Sequence, residues 1–134
     1  SLYEKKIKKL YIRKIKKIYN EFKKTNLKIS EGRELYYLSA FKDEKSIKKR
    51  ITIFKNKMKN DSENPIFYFE LGKLYYQKSK KTAQKFKTAT KYLNKSIKLS
   101  DKYFVNLGGQ AELLLLKIKN SEQKKRKLFD KSIK

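Results

Sequence analysis

Acid–base chemistry at neutral pH needs a side chain that titrates there, or a pair of carboxylates held in different surroundings. The chain has neither histidine nor cysteine, so the commonest general base and every thiolate ligand are missing. Two carboxylate pairs remain, Asp43/Glu44 and Asp61/Glu63. The first opens an apolar-periodic run and the second lies in the turn sequence "NDSENP". A carboxylate at such a place satisfies free backbone N–H groups and suits the positive end of a helix dipole, so capping accounts for both pairs. Gly108-Gly109 is the one glycine pair, and no strand pattern precedes it as a nucleotide-binding loop requires. No catalytic residue, metal ligand or cofactor is expected.

Binding chemistry is better supplied. The 134 residues include 38 Lys+Arg against 13 Asp+Glu, a formal net charge of +25. An anionic partner is one meaning of that excess. The other is a compositional bias toward Lys, Ile, Asn, Tyr and Phe, as A+T-rich coding produces, with lysines spread over solvated faces. Only Arg13, Arg33, Arg50 and Arg126 are arginine, which argues against base readout through bidentate arginine contacts. Tyrosine and phenylalanine can stack on bases, but here they recur at the spacing of a helix core. Nucleic acid or an anionic membrane surface, bound without sequence preference through lysine-rich faces, is the alternative reading. The longest apolar run is Leu113-Leu114-Leu115-Leu116, far short of the ~20 residues that span a bilayer. A soluble domain is expected, in the cytoplasm or on the periplasmic side of a cell envelope. Because the chain opens on Ser1 rather than methionine, a native N-terminal segment is expected to be missing.

Helices must position these groups. In residues 2–24, Tyr3, Ile7, Leu10, Tyr11, Ile15, Ile18, Tyr19 and Phe22 recur at three- and four-residue steps, one face of a 3.6-residue period. This stripe is expected to pack on a hairpin formed by residues 31–59. Ser30 is an N-cap candidate for a second helix over 31–41. Ile47, Ile51, Phe54 and Met58 stripe a third over 43–59. Asn64 and Pro65 mark a fourth start as N-cap and first helical residue, with the helix running to Ser79. The basic stretch "KSKKTAQKFK" reads as a connector. A helix over 86–99, a turn at "SDK", a helix over 103–118, a cap at Asn120-Ser121 and a last basic helix with Leu128, Phe129 and Ile133 complete the chain. About seven helices and no sheet are predicted.

Gly72 stands in the middle of "FYFELGKLYY", where glycine costs roughly 1 kcal/mol relative to alanine. Tyr68, Leu71, Gly72 and Tyr75 recur 36 residues on as Phe104, Leu107, Gly108 and Ala111. Between the copies lie Ala89, Leu93 and Ser96, with the two small residues seven apart on one face. This arrangement resembles a tetratricopeptide repeat over residues 64–101. The resemblance implies two antiparallel helices packed closely, with Gly72 bare because the helix carrying Ala89 would collide with a side chain. The spacing from Tyr75 to Ala89 is about five residues longer than the family's, an excess placed in an elongated inter-helix loop.

The resemblance implies an all-α domain of stacked antiparallel hairpins, a right-handed α-solenoid. It is divided as an N-terminal amphipathic helix (1–30), a degenerate hairpin (31–64), the best repeat (65–103) and a terminal capping hairpin (104–134). In the degenerate hairpin Tyr37, Phe41, Phe54 and Met58 are the expected core, while Leu38, Arg50 and Lys57 stand where the family has small residues. Functionally it implies a non-catalytic scaffold that binds a partner protein in a groove lined by Ile66, Phe69, Lys73 and Tyr76, joined by Val105, Gly109 and Glu112. Phe69 and Lys73 replace a basic residue and an asparagine of the family's carboxylate-clamping surface. The implied partner is therefore a peptide or helix with apolar anchors and acidic flanks.

Overall fold

Local signals place six helices in the computed structural model, which describes residues 1–25, 28–82 and 86–133. They are α1 (Leu2–Lys24), α2 (Glu31–Leu38), α3 (Glu44–Asn60), α4 (Pro65–Thr82), α5 (Lys87–Tyr103) and α6 (Gly108–Ile133). No strand is present among the described residues. Several starts are set by the expected side chains. Ser30 Oγ accepts from Arg33 N at 3.3 Å, Asp43 Oδ2 from Ser46 N at 3.1 Å, and Asn64 Oδ1 from Ile66 N at 3.0 Å. At α1 a capping box joins Ser1 and Glu4. Each satisfies a backbone donor that the first helical turn leaves free.

The helix ends depart from the sequence reading in several places. α2 stops at Leu38 and not at 41, and α6 starts at Gly108 and not at 103. α4 runs on to Thr82, so most of the expected connector is helix. Its lysines are good helix formers and no glycine or proline stops it. Residues 83–85 of the proposed long loop lie outside the described part. α5 continues through Ser100-Asp101-Lys102 and stops at Phe104, whose φ of 56° is left-handed. α6 passes through Asn120-Ser121 without a break, so six helices stand among the described residues, and the last segment is one long helix instead of a hairpin. A Ser or Asn mid-helix costs only a few tenths of a kcal/mol, too little to end a helix by itself.

The chain divides into two compact units, Ser1–Arg50 and Ile51–Lys134, with the boundary inside α3. In the first unit Tyr19, Tyr37, Leu38 and Ile47 are buried. Tyr19 meets Phe41 edge-on at 5.5 Å and Tyr37 at 6.0 Å. The end of α2 is closed from α3: Ser46 Oγ donates to the Leu38 carbonyl at 3.1 Å, and Arg50 Nη2 donates to the Phe41 carbonyl at 2.8 Å. Arg50, expected to occupy a small-residue position, thus serves as a buried carbonyl cap. Leu38, at a second such position, is a core residue.

In the second unit α4 and α5 form an antiparallel pair. Moving up α4 the contacts move down α5: Glu63 just before α4 reaches Tyr103, Gly72 reaches Leu93, and Tyr76 reaches Phe86. Phe69, Phe86, Ala89, Leu93, Ala111 and Ile118 form one buried cluster shared by α4, α5 and α6. Phe54 lies 6.2 Å from Phe67 in this unit, with the ring planes 48° apart, whereas Tyr37 and Phe41 belong to the first. The four-residue core expected for 31–64 is therefore split between the units.

Candidate interaction surface

The glycine question resolves in the α4–α5 pair. A Cβ on Gly72 would stand 2.5 Å from Leu93 Cδ2, 2.7 Å from its Cγ and 3.4 Å from its backbone N. Leu93 is wholly buried, so a side chain on Gly72 would have to displace it within the core. The neighbouring helix is the expected one, but the atoms that fill the gap belong to Leu93 and not to Ala89. Around the gap Leu71, Ala89 and Ser96 are fully buried. Tyr75 stacks on Tyr92, with centroids 5.4 Å apart and planes 13° from parallel. Tyr68 lies 6.2 Å from the same ring, and its hydroxyl donates to the Ser62 carbonyl at 2.8 Å. Burial pushes the Tyr68 phenol above its ordinary value.

The second copy of the pattern does not repeat this geometry. Phe104 is the C-cap of α5 and is 96% exposed. A Cβ on Gly108 would reach nothing nearer than Ser100 Cβ at 4.0 Å. Gly108 is the first residue of α6, at a helix start with room for a side chain. Leu107 packs against the edge of the core cluster, and only Ala111 of this copy sits fully within it. An aromatic, a leucine and a glycine at the right spacing thus mark a close helix approach once and a helix junction once.

The residues expected to line a groove separate in the same way. Phe69 is 5% exposed, inside the core cluster, so it fills the interior and lines no open groove. Lys73 Nζ lies 3.2 Å from Glu70 and 4.9 Å from the centroid of the Phe69 ring. Tyr76 is half-buried against Phe86 at 5.3 Å. Ile66, Val105 and Glu112 are exposed. Phe69 carries the aromatic signal of a binding residue, but its ring is buried in the cluster that also holds Leu93, Ala111 and Ile118.

What stands open instead is the far side of α6. Ala111 and Ile118 turn into the core, while Leu113 and Leu116 are 65% and 54% exposed. Gly109, Glu112, Leu113 and Leu116 follow one another at helical steps, so they share one face. Nothing lies within 4 Å of where a Cβ on Gly109 would be. The signal was in the sequence as a four-leucine run, but periodicity alone does not say which two leucines face inward.

Glu63 also has a different role from the one its turn position suggests. Within that turn Asn64 Nδ2 donates to Asp61 at 3.0 Å. Glu63 instead receives Lys102 Nζ at 3.1 Å and the Tyr103 hydroxyl, from the far end of α5. The Tyr103 hydrogen bond first, and Lys102 second, hold its carboxyl below the usual carboxylate range. The same contacts raise Lys102 above the ordinary lysine value. The arrangement ties the start of α4 to the end of α5.

Among the described residues no three His, Cys, Asp or Glu side chains gather closely enough to hold a metal ion, and no helix is long and apolar enough to cross a membrane. No family model, curated protein or solved structure matches the chain.

Proposed function

We propose that the chain is a non-catalytic scaffold that holds a partner protein on the open face of α6, next to a tetratricopeptide-like α4–α5 hairpin. The observation that carries this reading is the pair Leu113 and Leu116, exposed on the side of α6 opposite its buried residues. Support for a repeat-like hairpin comes from the Gly72–Leu93 contact and from the complete burial of Ala89 and Ser96. In a stack of such hairpins an uncovered helix side is where another helix would sit. Gly109, with open space above its backbone, lets a partner chain approach closely at one end of this face. Lys117, Lys119 and Lys124 follow along the helix, so the favoured partner is an amphipathic segment with two apolar anchors and acidic flanks.

The test is capture from the source cell at high salt, where lysine-mediated polyanion adsorption is lost. Affinity is then measured for the purified pair. Fully burying a leucine contributes about 1.5–3 kcal/mol, so Leu113→Ser/Leu116→Ser is expected to weaken the complex by more than about tenfold at unchanged thermal stability. Affinity unaltered by the double substitution removes α6 as the partner surface.

A further inference from the structure

The first half of α1 is bare. Every residue from Ser1 to Tyr11 is exposed, and the buried residues of the helix, Ile15 and Tyr19, both lie in its second half. Yet the apolar stripe does not stop at Tyr11. Tyr3, Ile7, Leu10 and Tyr11 occupy about 100° of the helix surface, in line with Ile15, Ile18 and Phe22. Tyr3 is 72% exposed and Leu10 62%. The Tyr11 hydroxyl is hydrogen-bonded to that of Tyr36 on α2, and Tyr36 remains exposed, so it widens the patch. Residues 2–24 carry nine lysines and one arginine against two glutamates.

We infer that this half-helix docks on an anionic lipid bilayer surface. An interfacial helix needs an apolar face that buries shallowly and a cationic face that meets the headgroups, and both are present without rearrangement. Tyr3, Tyr11 and Tyr36 have the amphipathic rings that settle at headgroup level. Lys6 and Lys17 border the stripe on one side and Lys8 on the other, placed to run their stems along the apolar face and their ammonium groups outward. The remaining lysines lie around the whole helix. A partner helix would touch only those at the edges, whereas a charged plane attracts every lysine within a Debye length. Lysine in place of arginine also fits a diffuse charged surface better than a shaped acidic pocket, which rewards bidentate contacts. A second copy of the chain would set these lysines against each other.

The experiment is co-sedimentation of the full chain with vesicles of phosphatidylcholine alone or of phosphatidylcholine with phosphatidylserine. Binding to the serine-containing vesicles and weak binding to the neutral ones is expected. Ile7→Ser/Leu10→Ser should lower the partition coefficient at least about tenfold with the melting temperature unchanged, and Lys6→Gln/Lys8→Gln should lower it by roughly fivefold per lysine. Three results would overturn the inference. One is no binding to anionic vesicles. Another is equal binding of the Ile7/Leu10 variant, which would mean adsorption by charge alone. The third is loss of an acidic protein partner by that variant with vesicle binding intact, which would assign the stripe to a protein.

Discussion

Helices α1 and α5 are built alike, each a lysine-rich amphipathic helix with a continuous apolar stripe, and they end in opposite situations. The stripe of α5 is covered throughout: Ala89, Leu93, Ser96 and Leu99 are all buried. The stripe of α1 is covered only in its second half. Two physical differences account for this. α5 faces α4, which has 18 residues to its 17, so the pair matches in length. α1 has 23 residues and packs on α2, which has 8. At 1.5 Å per residue, α2 spans about 12 Å and α1 about 34 Å. The second difference is size at the contact. Gly72, Ala89 and Ser96 let α4 and α5 approach, whereas the contact of α1 with α2 is made by large aromatic rings, Tyr19 and Phe22 against Tyr37. An apolar stripe records which face a helix can bury. It does not record how much of that face a neighbour is long enough to reach.

Gly72→Leu is the most direct lever on this contrast. Forcing a side chain into a filled site costs 1–3 kcal/mol or more, and about 3 kcal/mol is expected here, read from thermal or urea melts by circular dichroism. A variant that melts like the parent would eliminate the close approach. Leu93→Ala alone should cost about 2–5 kcal/mol. The double variant should fall short of the summed losses by about 1–3 kcal/mol, because the new side chain then occupies the space the leucine vacated.

A smaller effect sharpens the comparison through the polar ties. In each unit a carboxylate is held by a lysine and a tyrosine: Glu34 by Lys49 at 2.6 Å and Tyr19 at 3.4 Å, and Glu63 by Lys102 and Tyr103. The Glu63 carboxyl is depressed in the folded state, so its contribution is present above the unfolded value of about 4.3. That contribution is lost as pH falls through the folded value. Glu63→Gln should therefore flatten part of the acid-side decline in melting temperature while changing little at alkaline pH. An acid limb superimposable on the parent's would mean that the tie does not contribute in solution.

The smallest expected effect is on the bare stripe. Leu10→Ser should change stability by no more than about 0.5 kcal/mol, as for an ordinary surface position, whereas Leu99→Ala on α5 should cost at least about 2 kcal/mol. A Leu10→Ser loss approaching that of Leu99→Ala would show that the first half of α1 is covered after all.

Local signals were legible wherever one residue's own chemistry decides the outcome. Ser30, Asp43 and Asn64 cap because short polar side chains reach their own backbone. Pro65 opens α4 because its missing N–H is not needed there. Gly72 announced a close contact because an unforced glycine in a helix is costly. Legibility failed where the deciding partner is distant in sequence. Phe69 looked like a binding residue until the fold enclosed it in the cluster shared by α4, α5 and α6. Glu63 looked like a turn residue until the end of α5 came alongside. Asn120-Ser121 and "SDK" looked like breaks, yet weak helix formers end a helix only when tertiary contacts or a competing cap favour it.

By itself, then, the order of residues determined that this protein is helical, where most of its helices begin, and which face of each is apolar. These follow from period and caps, which act over a few residues, whereas the same aromatic–Leu–Gly pattern meets a neighbouring helix at Gly72 and leaves room for a side chain at Gly108. Which apolar faces stay uncovered was decided only in three dimensions. Burial depends on the length and reach of a neighbouring element, and among the described residues none covers Leu113, Leu116, Ile7 or Leu10.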